Sequence, residues 1–390
     1  MKDLVESGRL NMVGIIQEQH PDRCRLFMQW KQMGWPILVD SLNLLEVAAV
    51  PITVAIDEFG VVREVGLGVD DVESFRSGFM ETEFEPPAAQ SAAGSSAESE
   101  WVVPSAPGPR ADAVELARFA STAIRSGEID RIDEAVDAYR RAVQLEPEDG
   151  WNQFRLGVAL RKRFDSESRQ SDDFQAAVNA WKSALDLDPN QYIWRRRIQQ
   201  YGPRLDKPYP FYDWVPTARE ELTVRGEVPH ALLVEPAGAE FAAPLKDFEA
   251  AADVAEPDAK GRIHRDDSEF VRVETVAVPA SLESGEAAQL HVTFRPNEEN
   301  RAHWNNEVEG VEVWVQPPEG YVLDSSYRQL AMPAEAVSLE TRSAEVEIRR
   351  EWAPVGQAKV EGYALYYVCE DTNGTCLYRR QDFSILLEAR

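Results

Sequence analysis

The feature that most constrains this chain is the stretch 35–66, WPILVDSLNLLEVAAVPITVAIDEFGVVREVG. Two apolar, strand-like runs are joined there through the dipeptide Val50-Pro51. The second run drops into an acidic glycine turn, Asp57-Glu58-Phe59-Gly60, and rises again as Val61-Val62-Arg63, which predicts a β-hairpin over 51–56 and 61–65. Upstream, residues 1–7 read as the tail of a helix, and LNMVGII (10–16) has the nearly continuous apolar character of a buried parallel strand. His20 and Pro21 open a helix in which Cys24, Phe27, Met28 and the stem of Lys31 share one face. Cys24 is thereby expected as a core thiol. An extended run at 35–40, a short helix at 42–47 and a closing helix at 69–80, with Asp70 and Asp71 suited to its N-terminus, complete the unit.

The order helix end, strand, helix, Val-Pro, strand, strand, helix resembles the back half of a thioredoxin-like domain of the redoxin and thiol-specific antioxidant type. The resemblance implies a cis Val50-Pro51 bond and a substrate loop at Val50 and Pro51. It also implies a central strand leading into a Cys-x-x-Cys at a helix N-terminus, where the helix end lowers the attacking thiol's pKa. This chain has neither that strand nor that motif. Without the strand, 10–16 and 51–56 would each keep an unpaired edge, and buried unpaired backbone groups cost roughly 1–3 kcal/mol each. The expectation is therefore a unit (1–84) that is N-terminally incomplete, its strand and thiols encoded upstream of Met1. The alternative is a degenerate domain kept for binding.

Residues 85–110, EPPAAQSAAGSSAESEWVVPSAPGPR, read as a flexible linker. Beyond it, Ala135, Tyr139, Ala142 and Pro147 are spaced 4, 3 and 5, and Ala177, Trp181, Ala184 and Pro189 repeat that spacing, with Leu156-Gly157 between. This pattern resembles tetratricopeptide repeats: small residues admit the paired helix, an aromatic fills the groove and Pro ends the helix. A polar insert at 164–172 lengthens the second copy. Such a pair implies a platform for a protein or peptide segment, or a spacer packed between neighbouring domains. The aromatic and Arg-rich stretch 191–215, with Trp194, Tyr201, Tyr209, Phe211, Tyr212 and Trp214, is expected to cap the helices of this unit (111–215). An adapter with one or two strands and an acidic linker follow (216–268).

From 269 to 390 the chain reads as an immunoglobulin-like β-sandwich, with strands near 271–278, 288–294, 311–315, 344–349, 360–368 and 377–387 separated by Gly and Pro turns. His303-Trp304-Asn305-Asn306-Glu307 is read as a loop. The final hairpin, YALYYVCEDTNGTCL, holds Cys369 and Cys376 about an Asn373-Gly374 turn suited to bringing the flanking strands within disulfide reach. Strand, Cys, acidic turn, Cys and returning strand resemble the end of the N-terminal domain of the DsbD family of membrane disulfide reductases. That resemblance implies a redox pair; a structural staple is the other reading of the same two residues.

Charge and composition narrow the function. Asp plus Glu outnumber Lys plus Arg by 68 to 41, a net charge of −27 that disfavours nucleic acid and anionic lipid as partners. No run of about 18 apolar residues spans a membrane, and MKDLVESGRL lacks the apolar region of a signal peptide. A Cys pair suits an oxidising, extracytoplasmic compartment; a start at Met1 suits the cytoplasm. The five His lack ligand spacing, so no metal is expected, nor any cofactor, and no phosphate loop or serine elbow occurs. The resulting expectation is a multidomain α/β + α + β chain doing thiol–disulfide exchange on proteins. Its rival is a non-enzymatic interaction scaffold with a structural disulfide.

Overall fold

Short β-branched runs at the N-terminus form two small sheets. In a computed structural model, residues 2–66, 75–86, 104–127, 131–205, 211–241, 254–352, 354–370 and 374–390 are described. Asp70, Asp71, Tyr209, Asn373, residues 87–103 of the expected linker and 242–253 of the adapter lie outside them. Helix α1 (Lys2–Glu6) leads to β1 (Gly14–Ile16), α2 (Asp22–Lys31) and β2 (Ile37–Val39), and β1 pairs β2 in parallel. The apolar run at 10–16 yields only three strand residues, because the Arg9 and Leu10 amides fold back onto the Leu4 carbonyl. β3 (Val54–Ile56) and β4 (Val62–Val65) form an antiparallel hairpin whose turn is held by Asp57 accepting from the Phe59 and Val61 amides.

Two expectations fail in this unit. Residues 42–47 are turns, not a helix: Asp40 accepts from the Leu44 and Leu45 amides, Asn43 accepts from the Val47 amide, and Asn43 and Glu46 have φ of 50° and 52°. Side-chain capture of backbone amides outcompetes the helix. In α2 the buried residues are Arg23 and Leu26, while Cys24 is half-buried. The helix rotates its other face inward because Arg23 forms an ion pair with buried Glu240 and donates to the Val234 carbonyl at 3.2 Å.

The helical unit comprises α3 (Ala113–Ser126), α4 (Ile132–Leu145), α5 (Gly150–Phe164), α6 (Asp173–Leu187) and α7 (Tyr192–Gln199). Asp112 and Glu115 form a capping box on α3, and Asp149 caps α5. The polar insert at 164–172 is folded around a buried pair, Arg163 donating twice to Asp173 at 2.9 and 2.6 Å. Pro104 and Gly108, from the stretch expected to be a loose linker, accept hydrogen bonds from Arg131 and Arg141, both at 2.8 Å, which fasten that end to the helices. The adapter contains a helix, α8 (Trp214–Val224), where strands were expected, so a boundary at 215/216 would cut an element. Its Val215, Ala218 and Leu222 are buried, and Val215 and Leu222 cluster with Leu26 of α2.

The C-terminal region is a β-sandwich of two sheets around one core. One sheet contains β5 (Val271–Val278), β7 (Ala287–Pro296), β10 (Tyr321–Leu323) and β13 (Arg342–Arg350), in the order β10-β13-β7-β5. The other contains β6 (Ser281–Leu282), β8 (Ala302–Asn305), β9 (Glu312–Gln316), β11 (Tyr327–Gln329), β12 (Val337–Ser338), β14 (Gly356–Glu370) and β15 (Cys376–Ala389), with β11-β9-β14-β15-β6 in line and β8 pairing β14 and β12. Inward residues such as Leu290, Val292, Val346, Ala364 and Tyr366 fill the space between.

The acidic segment expected as a second linker is, from Val254 onward, a strap on this sandwich. Arg380 donates to the Asp258 carboxylate at 2.9 Å, the Asp266 amide bonds the Arg380 carbonyl at 2.9 Å, and the Tyr366 hydroxyl donates to Asp266 at 2.7 Å. Low apolar content concealed the docking, because its contacts are polar. Between the ends, the helical core takes in Leu42 from the first unit and Val276 and Val278 from β5.

Candidate functional site

Cys369 and Cys376 are directly opposed across β14 and β15 and joined by a disulfide, with Cα atoms 3.9 Å apart. Cys369 is 4% exposed, whereas Cys376 opens to solvent. On its other side Cys369 is in register with His303 of β8. The run at 303–307, expected as a loop, therefore contributes part of a strand against the Cys strand, and register partners share a face of the sheet. Two residues along that face, Tyr367 and Tyr378 stack with centroids 4.4 Å apart. Burial and the neighbouring Glu312 carboxylate push the Tyr378 hydroxyl well above its usual range, so it stays protonated. His303 was legible only as an odd polar–aromatic run; its place beside Cys369 depends on long-range pairing.

The second candidate is a groove of about 770 Å³ in which the first unit meets the helices. Val50 and Pro51, joined by a cis peptide, line it together with Cys24 and Phe27 of α2 and Tyr192 of α7. Burial, with a smaller contribution from Glu18, raises the Cys24 thiol above its ordinary pKa. It is thus held as the protonated, weakly nucleophilic form. Beneath the groove several buried polar groups bond one another. Arg197 bonds Gln19 and the carbonyls of Gln17 (2.6 Å) and Ser41 (3.3 Å), and His20 bonds the Tyr201 hydroxyl at 2.9 Å. Burial, then the nearby Arg161, Arg23 and Arg197, hold His20 far below its ordinary pKa, so it is neutral.

The repeat residues are brought together in the core and not at a surface. Ala135, Tyr139, Ala142, Ala177, Trp181 and Ala184 are fully buried, and Leu156 and Gly157 lie against them. Pro147 and Pro189 are exposed just past the ends of α4 and α6. Tyr139 bonds Ser121 at 2.7 Å, Trp181 stacks on Tyr201, and Trp194 stacks on Phe154. Phe174 of α6 meets His291 of β7, whose imidazole bonds the Tyr201 carbonyl at 2.7 Å. The helices thus pack against the first unit and against the sandwich.

Among the described residues, no group of three or more His, Cys, Asp or Glu is placed to hold a metal ion, and no helix is long and apolar enough to cross a membrane. No protein-family model and no curated protein sequence matches the chain. Among solved structures, it is similar over 32% of its length to AvmM, which catalyses macrocyclization in alchivemycin A biosynthesis (12% identity, 95% of that chain, TM-score 0.20). It is similar over 31% to the GAE domain of GGA2p from Saccharomyces cerevisiae (17% identity, 93% of that chain, TM-score 0.20). Over 70% it is similar to the Pseudomonas fluorescens alkylpurine DNA glycosylase AlkC (13% identity, 64% of that chain, TM-score 0.17). Likenesses this distant assign neither a family nor an activity.

Proposed function

We propose that the chain carries out thiol–disulfide exchange on other proteins through Cys369 and Cys376, outside the cytoplasm. The observation that carries this reading is the asymmetry of the pair: one sulfur belongs to a buried residue and the other to an exposed one at a hairpin end. A partner thiolate attacks the accessible Sγ of Cys376, the S–S bond breaks, and Cys369 leaves as a thiolate that takes a proton. A second thiol of the partner then attacks the partner's own sulfur in the mixed disulfide and releases Cys376. The net change is one dithiol oxidised and one disulfide reduced; the reverse order runs the opposite way. In this reading the sandwich is a DsbD-like, immunoglobulin-like domain, the helices are tetratricopeptide repeats, and the first unit is a thioredoxin-like domain whose Pro51 loop lines a substrate groove. Cys24, kept protonated, takes no part.

The second reading is a non-enzymatic scaffold with a structural disulfide. The burial of Cys369 favours it. Redox titration of the full chain separates the two. A potential near −200 mV, with Cys369→Ser trapping a mixed disulfide on Cys376, supports exchange. A potential below about −300 mV with no trapped partner supports the staple.

A further inference from the structure

Acceptors outnumber donors in a cavity of about 520 Å³ where the outer face of one sandwich sheet meets the turn at 236–241. Pairing of β13 with β7 sets Glu347 directly opposite Gln289 and Glu345 opposite His291. Gln289, Glu345 and Glu347 therefore share one face of the sheet. Gln289 is 6% exposed, and its amide nitrogen leans to Glu345 Oε2 at 3.4 Å. Its Oε1 is turned to the opposite wall: a Cβ on Gly238 would stand 3.7 Å from it, and among the described residues it has no hydrogen-bond partner. Glu347 is likewise 6% exposed; it accepts from the Arg204 amide at 3.1 Å, while Arg204 Nε stays 4.0 Å away. Burial raises its pKa, the mark of a carboxylate short of compensation. Glu345 has His291 Nδ1 at 3.4 Å, but that imidazole already donates to the Tyr201 carbonyl at 2.7 Å, so a neutral ring has no second proton to give. Arg328 is spent on Asp324 (2.7 Å) and on the carbonyls of Glu345 (3.2 Å) and Tyr327 (3.1 Å).

Four carboxylates, those of Asp213, Asp324, Glu345 and Glu347, line the cavity with the two guanidinium groups of Arg204 and Arg328, and the Gln289 oxygen adds an acceptor that no donor meets. An anion is repelled there, and a neutral hydroxylated molecule leaves the buried charge uncompensated. A metal ion does not fit either, since among the described residues no three His, Cys, Asp or Glu side chains converge to hold one. We propose that this cavity binds a primary alkylammonium ion, presented as a free amine or as a lysine side chain of a partner protein. The three N–H bonds of an ammonium diverge and suit three separate acceptors, Gln289, Glu345 and Glu347, whereas a guanidinium fork pairs best with a single carboxylate. The carbon chain lies against Pro236 and Phe241, which form the apolar part of the wall. The site rests on one sheet face and the turn opposite it, and depends neither on the chemistry of Cys369 and Cys376 nor on the groove around Pro51.

The test is isothermal titration calorimetry on the full chain at neutral pH in about 0.15 M NaCl, which screens the diffuse field of the acidic surface. The probes are n-butylammonium, the methylamide of Nα-acetyl-lysine, and tetramethylammonium, which has the charge without an N–H. Glu347→Gln removes one charge at constant shape, and Gln289→Met removes the unmet acceptor. Far-UV circular dichroism verifies their folding, and Glu345→Gln replaces Glu347→Gln if the latter does not fold. The expected result is binding of both primary amines, weakened about tenfold by Glu347→Gln and about threefold by Gln289→Met, with tetramethylammonium at least about tenfold weaker. A tighter lysine derivative names a protein side chain as the source; equal or weaker binding of it names a free amine. Four results overturn the proposal: no binding by the folded chain, tetramethylammonium bound as tightly as the amines, an affinity that either variant leaves unchanged, or binding that emerges only after Lys207→Ala and Lys246→Ala. The last would make a lysine of this chain the occupant.

Discussion

Gly157→Ala tests the packing of α5 against α6. Gly157 lies on α5, and a Cβ there would stand 2.5 Å from Cδ1 and 2.9 Å from Cε2 of Trp181. The indole has nowhere to go: it is fully buried and stacked on Tyr201 with centroids 5.7 Å apart and planes 1° from parallel. Replacing Gly by Ala inside a helix ordinarily gains about 1 kcal/mol. Overpacking a tight core costs roughly 1–3 kcal/mol, and a pinned indole puts this site at the upper end. The net expectation is a loss of about 1–2 kcal/mol, measured by urea denaturation followed at 222 nm. In a Trp181→Phe background the clashing pyrrole edge is gone, so the same glycine change should be neutral or stabilising by up to about 1 kcal/mol. A Gly157→Ala protein more stable than the parent would refute the argument, since propensity would then outweigh contact.

Three further outcomes follow from buried charge and the hairpin. Arg163→Met leaves Asp173 buried without its partner and should cost about 3–5 kcal/mol, read by urea denaturation, because an unpaired buried carboxylate is worse than none. Burial works against the Asp258 carboxylate, but Arg380 and the Arg262 and Ile263 amides outweigh it and hold its pKa below the ordinary 3.8. A depressed folded value means the strap's contribution is complete above pH 3.8 and drains as pH falls through that lower value. Amide exchange at 262, 263 and 266 should therefore accelerate in acid, and Arg380→Ala should move its onset to higher pH. Reducing the Cys369–Cys376 bond opens a short loop and should lower stability by about 2.5 kcal/mol in the chain-entropy model, visible as a lower urea midpoint with and without reductant. An unchanged midpoint would count against the disulfide as a staple.

The turn residues and periodicities carried much of the chain into view. Alternating runs announced β5, β7, β9, β13, β14 and β15, and small-residue spacing announced the helices that bury Ala135, Tyr139, Ala177 and Trp181. Local chemistry sufficed there, because one face of each element is apolar at the element's own period. It failed where polar side chains make the structure. Asp40 and Asn43 turned an apparent helix into turns, the acidic strap is held by Arg380 and Tyr366, and Arg23, not Cys24, is the buried residue of α2.

By itself, the sequence determined that this is a chain of α/β, helical and β-sandwich parts, with a Cys pair in its last hairpin and no Cys-x-x-Cys at its start. Only the tertiary structure decided that Cys369 is buried while Cys376 is exposed, that His303 lies in register beside Cys369, and that Pro51, Cys24, Phe27 and Tyr192 line one groove. The reason is physical: a periodic pattern states which face of an element is apolar. Which distant strand pairs with it, and which edge is left without one, is fixed by contacts between residues tens to hundreds of positions apart.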